Sequence, residues 1–263
     1  MSDRDTTSGP PTVMLVHGAF ADGSSWRGVI ERLNARGVPV VAPANPLRGL
    51  SFDSAYIASV LDQTPGLVIA VGHSYGGAVI SSAATHADNV VGLVFVAAFA
   101  PDKGERLGEV TATSKDAVLG AALVPLHHPS AAGAGAAVEF TIDPAKFHDA
   151  FAADLSEDEA AVMAATQRPV AELAFSEAAG APAWKHLPSW AVVATGDKAA
   201  GTDITRSMAE RAGASITEVD ASHVVMVSQP EAVTDVIFQA IAVTASNGDQ
   251  SWAEAFFEAY ITD

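Results

Sequence analysis

Short runs of apolar, often β-branched residues alternate with amphipathic or alanine-rich segments along most of the chain. Strands of a parallel sheet that is covered on both faces have nearly continuous apolar runs, so this alternation is typical of a sheet wrapped by helices. The apolar runs predict six strands, at 12–17, 38–41, 67–72, 90–97, 190–195 and 215–219. The segments between them predict helices at 25–36, 53–63, 75–87, 203–212 and 230–243. We therefore expect an α/β fold with a predominantly parallel, six-stranded sheet and helices on both of its faces.

The regular alternation stops at residues 101–186, which we call the insertion and which precede the penultimate predicted strand. Alanine, acidic residues and helix-period patterns dominate it, and no convincing strand is predicted there. Ser156 and Glu159 have the spacing of a capping box that opens a helix, and the low-complexity stretch 131–137 is typical of a flexible loop. The sequence therefore predicts a helical cap domain over one end of a core formed by 12–100 and 187–245.

The two ends of the chain differ from the rest. Residues 1–11 are polar and predict a disordered tail without the apolar stretch of a signal peptide. The longest apolar runs reach about half a membrane span, so we expect a cytoplasmic protein with no membrane partner. In the extension 246–263, the spacing of four aromatic residues predicts a short amphipathic helix with one apolar face: Trp252, Phe256, Phe257 and Tyr260. That helix would dock on the body of the protein or on a second subunit, which leaves a homodimer open.

The charge and the residue types narrow the chemistry. The chain has 31 acidic and 14 basic side chains and a formal net charge of −17, so nucleic acid is excluded as a partner and anionic substrates are disfavoured. The chain has no cysteine, which excludes disulfides and thiolate catalysis. A metal site needs convergent ligands, and adjacent histidines rarely point the same way, so His127, His128 and His148 are expected to lie on the surface of the insertion or to line its pocket. We therefore expect no metal and no cofactor.

One motif carries the strongest chemical signal. The segment GHSYGG at 72–77 directly follows a predicted apolar strand and directly precedes a predicted helix. This strand–turn–helix context is what a G-x-S-x-G nucleophile elbow requires, because the turn exposes the serine at the end of the strand. The alternative, a glycine-rich turn of a nucleotide-binding fold, would need G-x-G-x-x-G or a terminal Gly-Lys-Ser/Thr, and neither is present. Ser74 is therefore the predicted nucleophile.

A serine hydroxyl needs a base, and histidine suits that role near neutral pH. Of the eight histidines, His223 is the one that follows the last predicted strand, at the same edge of the sheet as Ser74. Asp197 follows the strand at 190–195 and is the predicted acid that fixes the imidazole. Asp203 is its main rival and Asp102 a further one.

The negative charge that develops on a substrate carbonyl needs preorganised donors. We expect one from the backbone N–H of Tyr75 and a second from the loop after the first strand, HGAF at 17–20. The N–H of Ala19 is the first choice and that of Phe20 the alternative. His17 is predicted to be buried and to hold this loop through hydrogen bonds.

Four segments together, HGAF at 17–20, GHSYGG at 72–77, VFVAAFAPD at 94–102 and HVVM at 223–226, resemble the α/β-hydrolase superfamily. The resemblance extends from residue 12 to residue 243. Within the superfamily the chain is similar to the small, single-cap branch of plant methylesterases, hydroxynitrile lyases and bacterial esterases such as pyrethroid hydrolases. The resemblance implies an α/β-hydrolase fold whose sheet begins at the superfamily's third strand.

Departures from that pattern restrict the implied activity. The lyases have a lysine where this chain has Val224 and a threonine where it has Gly18, so cyanohydrin cleavage is disfavoured. Dehalogenases and epoxide hydrolases of the superfamily use an aspartate nucleophile, whereas position 74 is a serine. The lyases also place their acid at the position that aligns with Lys198, so the assignment of Asp197 depends on its local position after a strand.

The predicted function is hydrolysis of a neutral, fairly apolar carboxylic ester, a small molecule, through an acyl-enzyme at Ser74. The expected pocket lies between the elbow and the insertion, and its predicted lining is Phe20, Phe99, Phe147, Phe151 and Trp184. A lactone, a C–C bond or perhydrolysis at the same triad are alternatives. A receptor-like, ligand-binding protein with residual hydrolase activity is the alternative of another class.

Overall fold

A computed structural model describes residues 9–129 and 135–245. In chain order the described residues form nine strands: β1 (Thr12–Val16), β2 (Val40–Val41), β3 (Val68–His73), β4 (Val90–Val96), β5 (Leu123–Pro129), β6 (Ala136–Ile142), β7 (Val170–Ala171), β8 (Ser189–Ala194) and β9 (Ser215–Val219). The same residues form ten α-helices: α1 (Arg27–Ala35), α2 (Leu50–Gln63), α3 (Tyr75–Ala83), α4 (Leu107–Thr111), α5 (Pro144–Phe151), α6 (Glu157–Thr166), α7 (Leu173–Ser176), α8 (Thr202–Arg211), α9 (Val225–Ser228) and α10 (Pro230–Ala245). Short 3₁₀ helices occur at Gly23–Trp26, Ala84–His86, Leu119–Ala122 and Ala183–Lys185.

The main sheet is parallel throughout, in the strand order β2-β1-β3-β4-β8-β9. All six predicted strands are confirmed, with ends that differ by at most two residues. The inner strands β3 and β8 are buried at every position, which explains their continuous apolar sequences. The edge strands are β2, which is two residues long, and β9, which is partly exposed. A parallel sheet brings the carboxyl ends of its strands to one edge, and the predicted catalytic residues follow three of these ends.

Helices pack on the sheet through small or regularly spaced apolar residues. Helix α10 packs on β3, β4 and β8 together with α1, and α3 packs on β1, β3 and β4 together with α2. Eight of the nine residues of α3 are buried, and most of them are Gly, Ala or Ser. These small side chains let the helix that follows Ser74 lie close to the sheet.

The insertion contains strands, so the prediction of an all-helical segment is wrong in this respect. Strands β5 and β6 form an antiparallel pair that runs from Leu123 opposite Ile142 to Pro129 opposite Ala136, and β7 adds two residues at the far side of β6. β5 is mostly exposed and has proline as its third and its last residue, whereas β6 is mostly part-exposed. Exposed edge strands with proline lack the buried alternation from which a strand is recognised in a sequence.

Other expectations for the insertion and the chain ends have separate outcomes. The capping box of Ser156 and Glu159 opens α6 as predicted. Of the stretch predicted as a loop, residues 136 and 137 begin β6 instead, and 131–134 lie outside the described residues. The predicted helix in 246–263 and most of the predicted N-terminal tail, 1–8, also lie outside them. Within residues 9–129 and 135–245, no helix has the length and apolar character needed to cross a bilayer.

Candidate active site

Ser74 lies at the sharp junction between β3 and α3. Its backbone has φ 52° and ψ −122°, a conformation that costs a non-glycine residue on the order of 1–3 kcal/mol and is concentrated at functional sites. The turn depends on glycine, because a Cβ atom on Gly72 would lie 2.5 Å from the carbonyl oxygen of Gly76. A Cβ atom on Gly76 would in turn collide with the carbonyl oxygen of Val16 in β1. The structure thus has the strand–turn–helix geometry that the motif predicts.

His223 and Asp197 meet at the carboxyl edge of the sheet. Asp197 follows β8 and His223 follows β9, and Nδ1 of His223 lies 2.8 Å from Oδ2 of Asp197. Both side chains are buried, with 1% and 0% of their surface exposed. The second carboxylate oxygen accepts the backbone N–H groups of Ala199 and Ala200 at 2.9 and 3.0 Å. The carboxylate therefore has one oxygen held by the backbone and the other directed at the imidazole.

The two rival acids have other partners. Asp203 accepts the hydroxyl of Ser114 at 2.5 Å and the backbone N–H of Lys115 at 2.9 Å, which ties the start of α8 to the insertion. Asp102 pairs with Lys185 at 2.6 Å in a part-exposed position. Of these three carboxylates, Asp197 is the one that is bonded to His223.

His73 supports the loop that carries His223, a role the sequence analysis did not assign. It is fully buried, and burial lowers the pKa of its imidazole well below the ordinary value, so the ring is neutral. Its Nε2 donates to the carbonyl oxygen of His223 at 2.9 Å, and the two ring centroids are 4.7 Å apart. The only sequence signal for this role is its place directly before Ser74, since the partner lies 150 residues away.

The insertion contacts the same loop from the other side. The ring of Phe151, the last residue of α5, lies 5.0 Å from the ring of His223, centroid to centroid. Ser222 donates a short hydrogen bond to the carboxylate of Asp154, in the connection between α5 and α6. The position of His223 is therefore fixed by both the core and the insertion.

The loop after β1 packs directly against the elbow. A Cβ atom on Gly18 would lie 2.7 Å from Cβ of Ser74 and 2.9 Å from Nδ1 of His73. The next two residues, Ala19 and Phe20, line the same cavity as Ser74 and Tyr75. The structure thus brings together the residues whose backbone N–H groups are predicted to bind a developing oxyanion.

His17 is buried and hydrogen-bonded in this loop, as the sequence analysis predicts. Its Nδ1 donates to the carbonyl oxygen of Gly18 at 2.9 Å, and its Nε2 accepts the backbone N–H of Asn45 at 3.0 Å. The guanidinium of Arg168, from the insertion, approaches the same Nε2 at 3.2 Å. Burial, aided by this cation, lowers the pKa of His17 to about 4, so the imidazole is neutral at pH 7 and holds the loop without titrating.

A second buried carboxylate lies beside the elbow, and the sequence analysis did not identify it. The hydroxyl of Tyr75 donates to Oδ2 of Asp53 at 2.7 Å, and Asp53 also accepts the backbone N–H groups of Arg48 and Gly49. We call these four residues the elbow anchor. Burial raises the pKa of Asp53 against the lowering effect of its hydrogen bonds, and it raises the pKa of Tyr75 well above the ordinary value.

The elbow anchor continues into the insertion. The guanidinium of Arg48 forms an ion pair with Glu139 of β6 at 2.8 Å and donates to the carbonyl oxygen of Pro169 at 2.9 Å. The predicted helix starts at Asp53, whereas α2 starts at Leu50 after Gly49, whose φ is 138°. The carboxylate of Asp53 reaches back to the residues before the helix, as the acidic member of a capping box does.

A cavity of about 790 Å³ opens above Ser74, between the core and the insertion. Three of the five predicted lining residues border it: Phe20, Phe99 and Phe151. The insertion supplies most of the opposite wall with apolar side chains: Val118, Leu119, Leu123, Phe140 and Phe175.

The other two predicted lining residues lie elsewhere. Phe147 is fully buried behind Phe151, with the ring centroids 5.0 Å apart. Trp184 donates its indole N–H to the carbonyl oxygen of Pro101 at 3.3 Å and lies beneath the side chains of Lys185 and Arg211. Both are large aromatic residues of the insertion, and the sequence pattern does not separate those that face a cavity from those that fill a core.

Residues 13–236 match the model of the Alpha/beta hydrolase family. The chain belongs to this family. The fold and the resemblance predicted from the sequence are therefore confirmed.

Two curated relatives match shorter stretches of the chain. A pyrethroid hydrolase of Sphingobium wenxiniae is 35% identical over 98 residues, which cover 33% of this chain and 35% of that protein. The lipase LipV of Mycobacterium tuberculosis is 33% identical over 114 residues, which cover 39% of this chain and 43% of the lipase. The matches thus span less than half the length of either relative.

Solved structures with the same fold align over most of the chain. A crystal structure of a pyrethroid hydrolase superposes with a TM-score of 0.70 and 21% identity, covering 89% of this chain and 99% of the other. Polyneuridine aldehyde esterase gives a TM-score of 0.73 at 18% identity, with coverages of 88% and 98%. A methylesterase from Arabidopsis gives 0.72 at 16% identity, with coverages of 89% and 99%. At these identities the similarity establishes the fold.

Proposed function

We propose that this protein is a serine hydrolase that cleaves neutral, apolar carboxylic esters, with Ser74 as nucleophile, His223 as base and Asp197 as acid. The observation that carries the proposal is the buried hydrogen bond of 2.8 Å between His223 and Asp197, at the same sheet edge as a serine held at φ 52°. A nucleophile, a base and a group that orients the base are the minimum set for covalent acyl transfer.

The proposed chemistry follows from the two nitrogens of the imidazole. Nδ1 carries its proton toward Asp197, so Nε2 is the nitrogen that accepts the proton of Ser74 as its Oγ attacks the ester carbonyl. The oxyanion receives hydrogen bonds from the backbone N–H groups of Tyr75 and Ala19, and His223 then returns the proton to the departing alcohol. Water, deprotonated by His223, attacks the acyl-enzyme, and His223 returns this proton to Oγ of Ser74 as the bond to the acyl group breaks and the carboxylic acid leaves.

The substrate class is inferred from the cavity and the charge. The walls above Ser74 are dominated by phenylalanine, leucine, valine and alanine, and the volume of about 790 Å³ lies within the usual range for small-molecule sites. A net charge of −17 repels anions at long range, which favours neutral esters. The names of the relatives, a pyrethroid hydrolase, a lipase and plant esterases, support the same class.

The proposal is tested with p-nitrophenyl esters of increasing acyl length and with a fluorophosphonate, which phosphonylates activated serines. We expect Ser74→Ala and His223→Ala each to lower kcat by at least about 1,000-fold, and Ser74→Ala to abolish labelling. The matched controls are Ser59→Ala and His86→Ala, because both residues are exposed and remote from the cavity lining. Equal turnover by wild type and Ser74→Ala would contradict the proposal and favour the lactone, C–C bond or receptor alternatives.

A further inference from the structure

A second, smaller cleft borders the loop that follows β1. Its volume is about 290 Å³, and it is bounded by this loop, the start of α1 and the side chains of α6 and α9. Apolar groups of Phe20, Met163 and Val227 line it. Of its three charged lining residues, Arg27 pairs with Glu31 at 2.9 Å, and Asp22 accepts the backbone N–H and the hydroxyl of Ser24. The cleft therefore has an apolar floor, which suits an alkyl chain, and a polar rim whose charged groups have internal partners.

Among the described residues that line either space, Phe20 is the one common to the cleft and to the cavity above Ser74. Only 2% of Phe20 is exposed, and its ring stands edge-on to the ring of Phe151 with centroids 6.2 Å apart. Phe151 in turn packs against Phe147 and His223, so the ring of Phe20 leans on a well-packed aromatic group. Phe20 thus borders both spaces, and its ring is held by this aromatic group.

The backbone fixes this ring in place. Phe20 has φ 61°, in the left-handed region that a bulky side chain rarely adopts. A strained backbone conformation of this kind persists only where the surrounding contacts hold it, because the backbone of the loop would otherwise relax to a common conformation. The preceding residues of the loop are held by the hydrogen bonds of His17 and by the contact of Gly18 with the elbow.

We propose that Phe20 determines substrate length: its ring ends the cavity, and the cleft behind it is a second subsite that takes a linear alkyl chain once the ring is removed. The proposal rests on the ester hydrolysis proposed above. The alkyl chain belongs either to the acyl part or to the alcohol part of the ester, and the experiment separates the two.

The experiment compares the ratio of kcat/KM for long and short esters in two series, p-nitrophenyl esters of increasing acyl length and acetate esters of increasing alcohol length. We expect Phe20→Ala to raise this ratio by about tenfold or more in one series, since each methylene bound in an apolar pocket contributes about that much. A ratio is used because Phe20 adjoins the predicted oxyanion donors, so its replacement also changes the absolute rate. Phe20→Leu serves as a milder second variant.

Further variants test whether the space that Phe20→Ala opens is the cleft. Met163→Trp fills the cleft from α6, so Phe20→Ala/Met163→Trp should return to the wild-type ratio, while Met163→Trp alone should keep it. Phe140→Ala enlarges the cavity from the insertion side, away from the cleft, and any gain it brings should be insensitive to Met163→Trp. An unchanged ratio in both Phe20 variants, or a gain that persists in the double variant, would overturn the proposal.

A binding measurement keeps this inference distinct from the proposed activity. In the Ser74→Ala background, we expect Phe20→Ala to bind long linear 1-alkanols more tightly than the parent does by titration calorimetry, and Met163→Trp to remove the difference. Tighter binding without ester turnover in wild type would reject the proposed function alone. Turnover in wild type with no difference in binding or in the length ratio would reject the role of Phe20 alone.

Discussion

Two buried carboxylates, Asp197 and Asp53, each bond a residue of the candidate site, and their surroundings are similar. Asp197 accepts two backbone N–H groups and the imidazole of His223. Asp53 accepts the backbone N–H groups of Arg48 and Gly49 and the hydroxyl of Tyr75. In both pairs the backbone neutralises part of the negative charge and one side-chain donor completes the set, which is the arrangement that makes a buried carboxylate tolerable.

The difference lies in the donor that each carboxylate orients. An imidazole exchanges its proton near pH 7, so Asp197 is suited to assist proton transfer. A phenol has an ordinary pKa of about 10, and that of Tyr75 is raised further by burial and by the neighbouring Asp53, so its proton stays in place. We therefore expect the Asp197 pair to act in the chemical step and the elbow anchor to act on stability and on the position of the Tyr75 backbone.

The largest expected effect is that of Asp197→Asn, for which kcat should fall by about 10³–10⁴-fold. The amide leaves the fold intact but favours the wrong imidazole tautomer, and a triad in another protein shows a loss of about this size. The control is Asp203→Asn, which should change kcat by less than about threefold, because Asp203 bonds Ser114 rather than His223. Steady-state kinetics give kcat for both variants. A larger loss of kcat in Asp203→Asn than in Asp197→Asn would reverse the assignment of the acid.

The next effect is on stability. Tyr75→Phe deprives the buried carboxylate of Asp53 of its hydroxyl donor, so the free energy of unfolding should fall by about 1–3 kcal/mol, while kcat changes by less than about tenfold. The matched control is Tyr56→Phe in α2, which is 42% exposed and should stay within about 0.5 kcal/mol of wild type. Urea unfolding measures both. A loss of activity comparable to that of Asp197→Asn, with unchanged stability, would place the Tyr75 hydroxyl in the chemistry.

The smallest effect appears at alkaline pH. The pKa of Tyr75 is raised in the folded state, so above about pH 10 the unfolded chain releases a proton that the folded protein retains. Stability should therefore fall as the pH rises through this range, with Tyr75 contributing a slope of up to about 1.4 kcal/mol per pH unit. Urea unfolding of Tyr75→Phe at the same pH values should show a shallower decline. Identical slopes would show that Tyr75 ionises normally in the fold.

The regions close to the sheet could be predicted because their signals are local. Each inner strand is a continuous apolar run, and the parallel arrangement places the residues after β3, β8 and β9 at one edge. Knowledge of that edge is sufficient to select Ser74, Asp197 and His223 as residues that could meet. The hydrogen bond between Nδ1 of His223 and Oδ2 of Asp197, however, could be identified only from the structure.

Other features could not be predicted because they depend on contacts between distant residues. Arg168 approaches His17 across 151 positions of sequence, and Arg48 pairs with Glu139 across 91. In the sequence, Asp53 resembles an ordinary acidic residue in the first turn of a helix, and only the structure shows its hydrogen bond with Tyr75. Strands β5 and β6 stabilise each other through pairing while β5 stays mostly exposed and β6 part-exposed, so neither shows the apolar pattern of a buried strand.

The close packing at Gly18 restricts how this protein can evolve. Any side chain there would begin 2.7 Å from Cβ of Ser74 and 2.9 Å from the carbonyl oxygen of His73, closer than folded proteins allow. A threonine here, as in the hydroxynitrile lyases, would therefore require the loop or the elbow to shift by several tenths of an ångström. Because that shift would move the backbone beside the nucleophile, the residue at position 18 and the geometry of the elbow are coupled, and a change in one is expected to require adjustment of the other.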